Sequence, residues 1–450
     1  MARDWVPIAG LTVVGLLGAA LVFGLMAQPE MAPPASHSPV VSTQGAADES
    51  TQTVFKTPVG DRPAAPDGAL SVVWLVSCSV RQDLLAPYGG PPSLTPSWSR
   101  MAESGVRFSD PIAAAPWSRP SVAGMLTGRH ALELGFVDAG TGPSQGLLSE
   151  DAVTLPEFLA ERGWTTLVAN ASPALRHDLS GVWQGVDHLW DAHPKGWKAE
   201  HRVDHADVMD RALRMLEDRA QDRPFFLQIV LADSHKPVKV RPAEYESYEA
   251  VAPGMAPYAA TVRRTDDALG RLREQLGRMG LADQTLVVAV TDHGEGLSRP
   301  AHHGPAHGRF LAPTVAKVAW LMEGPGLAEG ALVDGVVSGV DLAPTIAGVL
   351  GLSDFPSTEG LDLSRLVREG GRSPREVAYI DTWYHNANRA AVYAESGACQ
   401  WDFGSINLQD SFEAGCFNRL DDPEHATLVE NERLSVSLQA WRAGHLDDSP

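Results

Sequence analysis

Three short apolar runs, each ending in a cluster of polar residues, constrain this chain more than any other feature. Ser71–Ser77 (SVVWLVS), Phe225–Ala232 (FFLQIVLA) and Thr285–Val290 (TLVVAV) are bounded and rich in β-branched residues. That is the pattern of strands buried on both faces of a parallel sheet. Stretches with helical spacing separate them, at Ser93–Gly105, Leu155–Arg162, His201–Ala220, Tyr258–Gly280 and Val340–Leu350, the last entered through Pro344. Further strands are expected at Val106–Phe108, Trp164–Ala169 and Val315–Met322. Such alternation predicts an α/β domain with a mixed, mostly parallel central sheet flanked by helices. Between Asn170 and Glu200 the chain reads as an irregular, Trp- and His-rich loop. From about Val377 short strands and turns predict a smaller C-terminal α+β subdomain with a helical tail.

Open α/β sheets bind ligands beyond the C-terminal ends of their strands, so the polar clusters define the candidate site. One holds Asp233 and His235, another Asp292 and His293. The run Ala113–Gly128 (AAAPWSRPSVAGMLTG) adds Ser118, just before Pro120 and a helical pattern through Val122, Met125 and Leu126. Ser118 then lies at a helix mouth, where free N–H groups and the dipole favour an anion. It reads either as a hydroxyl placed to attack a phosphoryl or sulfuryl group or as an ordinary N-cap. An Asp–His pair can hold a divalent cation, which lowers the pKa of a bound alcohol and neutralises charge on a transferred group. His235, and His307 in the histidine-rich loop 300–308, are placed to protonate a leaving group or to bind its oxygens.

With 36 basic and 56 acidic residues the net charge is −20, which argues against nucleic acid as a partner. Residues 1–4 read as a cytoplasmic end, and Trp5–Met26 is an uncharged apolar run long enough to span a bilayer. It reads as an uncleaved anchor rather than a cleaved signal, with the body periplasmic or extracellular; secretion is the alternative. Residues 27–68, rich in Pro, Ala and Ser, read as a flexible tether; 69–375 form the α/β domain and 376–450 the subdomain and tail. In an oxidising compartment Cys399 and Cys416 can form a disulfide, with three reduced thiols the alternative.

The joint order of these stretches resembles the sulfatase family of the alkaline phosphatase-like hydrolases. The resemblance rests on VVWLVSCSVRQDLLAPYG, APWSRPSVAGMLTG, PFFLQIVLADSHKP, TDHGEG, VDGVVSGVDLAPTI and FNRLDDPEH, together covering most of residues 70–430. It implies the family's sandwich fold, Ser118 as nucleophile, one divalent metal held partly by Asp292 and His293, and substrate-oxygen contacts from His235 and His307. Asp233 and Arg119 are candidate substrate-binding residues, Arg119 either supplying positive charge or facing solvent. Where the family has metal-binding aspartates this chain has Ser77 and Cys78. Cys78 is either a soft-metal ligand or a small buried residue at a lost ligand position; the second is favoured, since one thiolate does not restore a hard-oxygen calcium site. Calcium, manganese and zinc all remain open. The family's C/S-x-P-x-R segment is Ser118–Val122 here, with Val122 in place of Arg, which argues against conversion of Ser118 to formylglycine. The expected function is hydrolysis of sulfate or phosphate esters. The alternatives are a degenerate family member that binds an anionic ligand or partner, and a transferase of phospho head groups in the cell envelope.

Overall fold

The structure is a computed structural model that describes residues 51–52, 62–136, 146–193, 203–219, 221–297, 307–405, 412–421 and 427–447. Ten strands form one sheet: β1 (Thr51–Gln52), β2 (Ser71–Ser77), β3 (Val106–Ile112), β4 (Thr165–Asn170), β5 (His188–Asp191), β6 (Phe225–Leu231), β7 (Thr285–Thr291), β8 (Trp320–Glu323), β9 (Ala331–Ser338) and β10 (Gly371–Arg372). Their order across the sheet is β1-β5-β4-β6-β2-β7-β8-β3-β9-β10. Only β1 and β8 run antiparallel to their neighbours. The mixed, mostly parallel sheet is therefore present.

The central strands explain why the apolar runs are continuous. Every residue of β2, β6 and β7 is buried. Side chains alternate between faces. Val72, Trp74 and Val76 enter one core with the helix Ser118–Thr127, while Val73 and Leu75 enter a second with the helices His205–Asp218 and Ala256–Arg278. Both faces are covered, so neither set is polar.

Two local readings are corrected. The segment from Val315 opens as the short helix Pro313–Ala316, with Pro313 at its first position, and the strand begins only at Trp320. The loop read as irregular between 170 and 200 contains β5, which pairs parallel to β4. Its neighbour β1 comes from within the expected tether, and Arg62, also from that stretch, is buried against Asp187 with Nη1 2.9 Å from Oδ2.

A second, antiparallel sheet forms the C-terminal subdomain from β11 (Val377–Thr382), β12 (Arg389–Ala394), β13 (Gly397–Asp402), β14 (Gly415–Asn418) and β15 (Leu428–Val429). The helix Glu432–Asp447 packs on it through Leu434 and Leu438. Cys399 and Cys416 face each other across β13 and β14 and are joined by a disulfide; Cys78 is free and buried. Among the described residues no helix is long and apolar enough to cross a membrane; Trp5–Met26 lies outside them.

Candidate active site

Strand register assembles the site. Ser77 at the end of β2 pairs with Leu231 of β6 on one side and Thr291 of β7 on the other. The residues that follow, Cys78, Asp233–His235 and Asp292–His293, therefore leave one sheet edge together. After β3 the chain is tied by the Ala113 N–H to the Ala316 carbonyl at 2.8 Å and then enters the helix at Ser118. Ser121 Oγ donates to the Asp292 carbonyl at 2.6 Å and fastens that helix to the end of β7.

Ser118 is 3% exposed, and its Oγ stands 3.1 Å from His293 Nε2. On the far side of the ring, Nδ1 is 2.8 Å from the Gly294 carbonyl. A carbonyl can only accept, so Nδ1 carries the proton and Nε2 turns its lone pair to the serine hydroxyl. Burial depresses the His293 pKa, outweighing the nearby Asp292 carboxylate, and keeps the ring neutral. A hydroxyl facing the lone pair of a neutral imidazole is an arrangement in which the ring can accept the hydroxyl proton.

Asp292 Oδ1 accepts from the backbone N–H groups of Ser79 and His293, each at 2.8 Å. Its Oδ2 is buried without a hydrogen-bond partner and lies 3.5 Å from His293 Nε2. The Cys78 thiol touches the Asp292, Ser118 and Ser172 side chains. Burial first, then the Asp292 charge, push its pKa well up, so it is a neutral thiol.

His307 and His235 complete the cluster. The His307 ring centre is 4.6 Å from that of His293 and 4.9 Å from that of His235. His235 Nδ1 is 2.7 Å from the Lys236 carbonyl, which places its proton there. His307 Nδ1 is 2.9 Å from Oε2 of Glu295, a fully buried carboxylate whose Oε1 lies 3.8 Å from Lys236 Nζ. Burial pushes the Glu295 pKa up, but the His307 contact and the nearby Lys236 and His293 outweigh it and hold the group ionised. Glu295 lies within TDHGEG, where the sequence alone assigns it no role. The available signal was an acidic residue two positions after His293, ahead of a histidine-rich loop. Glu295→Gln is expected to leave the fold intact and to lower kcat/KM by about 10- to 100-fold, since outer contacts that orient a working histidine carry effects of that size; steady-state assays beside circular dichroism check it.

Asp233 and Arg119, the two candidate substrate contacts, engage protein groups in this structure. The Asp233 carboxylate turns to Arg264 Nη1, at 3.2 Å, and His205 Nδ1, at 3.6 Å, in the wall of a cavity of about 1040 Å³. Arg119 lies 5.7 Å from the Trp117 ring centre, with Nε 3.4 Å from the Ala174 carbonyl. Val122 is buried in the apolar core.

A calcium shell needs six to eight oxygens. Among the described residues this site offers a cation Asp292 Oδ2 and His293 Nε2, beside the Cys78 thiol, and these alone do not build that shell. Among the described residues, three metal-ligating side chains with donor atoms within 4.8 Å of one another occur at two other places, Asp204–His205–Asp233 and Glu133–Glu359–His445.

The sulfatase family model matches residues 71–352. Arylsulfatase A of Bos taurus is 27% identical over 391 residues, covering 74% of this chain and 75% of the relative. An ulvan-active sulfatase of Formosa agariphila is 23% identical, covering 68% and 66%. A structure solved with its substrate D-glucosamine-2-N,6-O-disulfate superposes with a TM-score of 0.70 at 18% identity, over 85% of this chain and 99% of that one. The chain belongs to the sulfatase family and so to the sulfuric ester hydrolases.

Proposed function

We propose that this protein hydrolyses a sulfate or phosphate ester through Ser118. The observation that carries the reading is the 3.1 Å contact between Ser118 Oγ and the lone-pair nitrogen of a neutral, buried His293. As Ser118 Oγ bonds to the sulfur or phosphorus, its proton passes to His293 Nε2 and the ester bond to the alcohol breaks. The departing oxygen takes a proton at His307 or His235, which stand beside His293. Water then attacks the Ser118 adduct, releases sulfate or phosphate, and the protons return. Arg119, next to Ser118, and Asp233 are the further candidate substrate contacts.

A direct test is rapid quenching with an aryl sulfate or aryl phosphate followed by mass spectrometry. A peptide bearing Ser118 heavier by one sulfuryl or phosphoryl group supports the reading. Turnover with no such species at any quench time refutes the covalent step. An added acceptor alcohol that receives the group would assign the protein to transfer instead.

A second reading is favoured by the unpartnered Asp292 Oδ2. A divalent cation held by Asp292 and His293 would supply positive charge at the transferred group. Metal analysis of the full chain beside Asp292→Asn separates the two readings. We place the enzyme outside the cytoplasm, held by Trp5–Met26, consistent with a disulfide that oxidising compartments favour.

A further inference from the structure

Four side chains away from the Ser118 cluster converge where the C-terminal helix meets the large domain. His130 and Glu133 come from the turn after the helix Ser118–Thr127, Glu359 from the loop after the helix Leu342–Val349, and His445 from the end of the helix Glu432–Asp447. His445 Nε2 lies 2.6 Å from Glu359 Oε1 and 3.5 Å from Glu133 Oε1. His445 Nδ1 is 2.7 Å from the Trp441 carbonyl, so that nitrogen carries a proton and Nε2 faces the two carboxylates. A bare lone pair cannot face two carboxylate oxygens. At 2.6 Å the Glu359 contact is a hydrogen bond, so a proton sits there in this structure, and a metal cation taking its place would part the two atoms by under an ångström.

The outer contacts also suit a metal. Each carboxylate has one oxygen engaged by the protein and the other aimed at a common point. Thr358 Oγ1 donates to Glu133 Oε2 at 2.8 Å, which leaves Oε1 toward His445. His130 Nε2 stands 2.9 Å from Glu359 Oε2, again leaving Oε1 toward His445. His130 is wholly buried, and neither of its ring nitrogens has an aligned hydrogen-bond partner. A ligand histidine fixed by a backbone carbonyl, with carboxylates held by further groups, is how proteins orient metal donors.

We propose that Glu133, Glu359 and His445 bind one divalent cation of the zinc type, with His130 positioning Glu359, and that this ion pins the C-terminal helix to the large domain. One nitrogen and two carboxylate oxygens suit zinc or cobalt(II), and Glu133, at the surface, leaves a fourth position to water. Two carboxylates balance the charge of the ion.

The test uses the full chain, stripped with a chelator and titrated with zinc or cobalt(II) chloride. Expected are one tightly held ion per chain, visible cobalt absorption of a four-coordinate site, and a rise in Tm of several degrees. Glu133→Gln, at an exposed position that leaves folding undisturbed, and His445→Gln should each lose all three. Asp292→Asn and His205→Gln should keep them, which separates this site from the Ser118 cluster and from the Asp204 group. Absence of tight binding to the stripped full chain overturns the proposal. So does an ion, or a Tm rise, that survives in Glu133→Gln or is lost in Asp292→Asn.

Discussion

Ser118→Ala is expected to lower kcat/KM for an aryl ester by about 10⁴-fold or more, the scale seen when the nucleophile of a covalent mechanism is removed. Stability should hardly move. The hydroxyl contributes its hydrogen bond to His293 Nε2, worth about 1 kcal/mol, and a contact with the Cys78 thiol, and the alanine leaves a void no larger than the lost oxygen. His293→Gln should cost nearly as much activity, because serine and base act as one unit and their losses do not add. The double variant should therefore be no slower than Ser118→Ala alone. Parallel assays on aryl sulfate and aryl phosphate, with Tm measured on each protein, check this. Ser118→Ala with unchanged turnover would remove the serine from the chemistry. Full activity in His293→Gln would show that some other group takes the proton.

The elements around Ser118 were legible because each obeys a local rule. β2, β6 and β7 are unbroken apolar runs since both of their faces are covered, and their ends announced Asp292, His293 and His235. What was not legible depended on partners distant in sequence. Asp233 and His235 follow one strand two residues apart, yet Asp233 turns to Arg264 and His205, from two other helices. No local pattern encodes that choice. β5 escaped notice because its four residues, His188–Asp191, carry two polar side chains and become a strand only beside β4. Glu295 was visible as a residue but not as a part of the site, since its role comes from His307 and Lys236 closing over it. Cys78 was the reverse case. Its position was anticipated, and the structure adds what it touches.

Cys78→Asp is expected to change the protein more than any other single substitution at this sheet edge. The new carboxylate would stand against Asp292 in a site where burial and the Asp292 charge already push the Cys78 thiol upward. The same two causes would raise the new carboxyl, so near neutral pH the pair must either hold a proton or remain as two buried like charges. Breaking such a balance costs roughly 3–5 kcal/mol. The variant without added metal should therefore melt several degrees below the parent. A divalent cation reverses the sign. The introduced carboxylate and Asp292 would together supply the charge and oxygen donors that the neutral thiol withholds, beside His293 Nε2 and Ser118 Oγ. Calcium or manganese at about a hundred times its Kd would return about 2.7 kcal/mol. The expected result is a Tm that rises steeply with calcium or manganese in Cys78→Asp and stays flat in the parent, read at the same concentrations. An equal rise in both would mean that the parent already binds these ions at the Ser118 cluster or elsewhere, and Asp292→Asn in the parent would then tell which. A variant that melts low and ignores both ions would mean that Asp292, with Oδ1 held by the Ser79 and His293 amides, cannot turn to share an ion with its new neighbour.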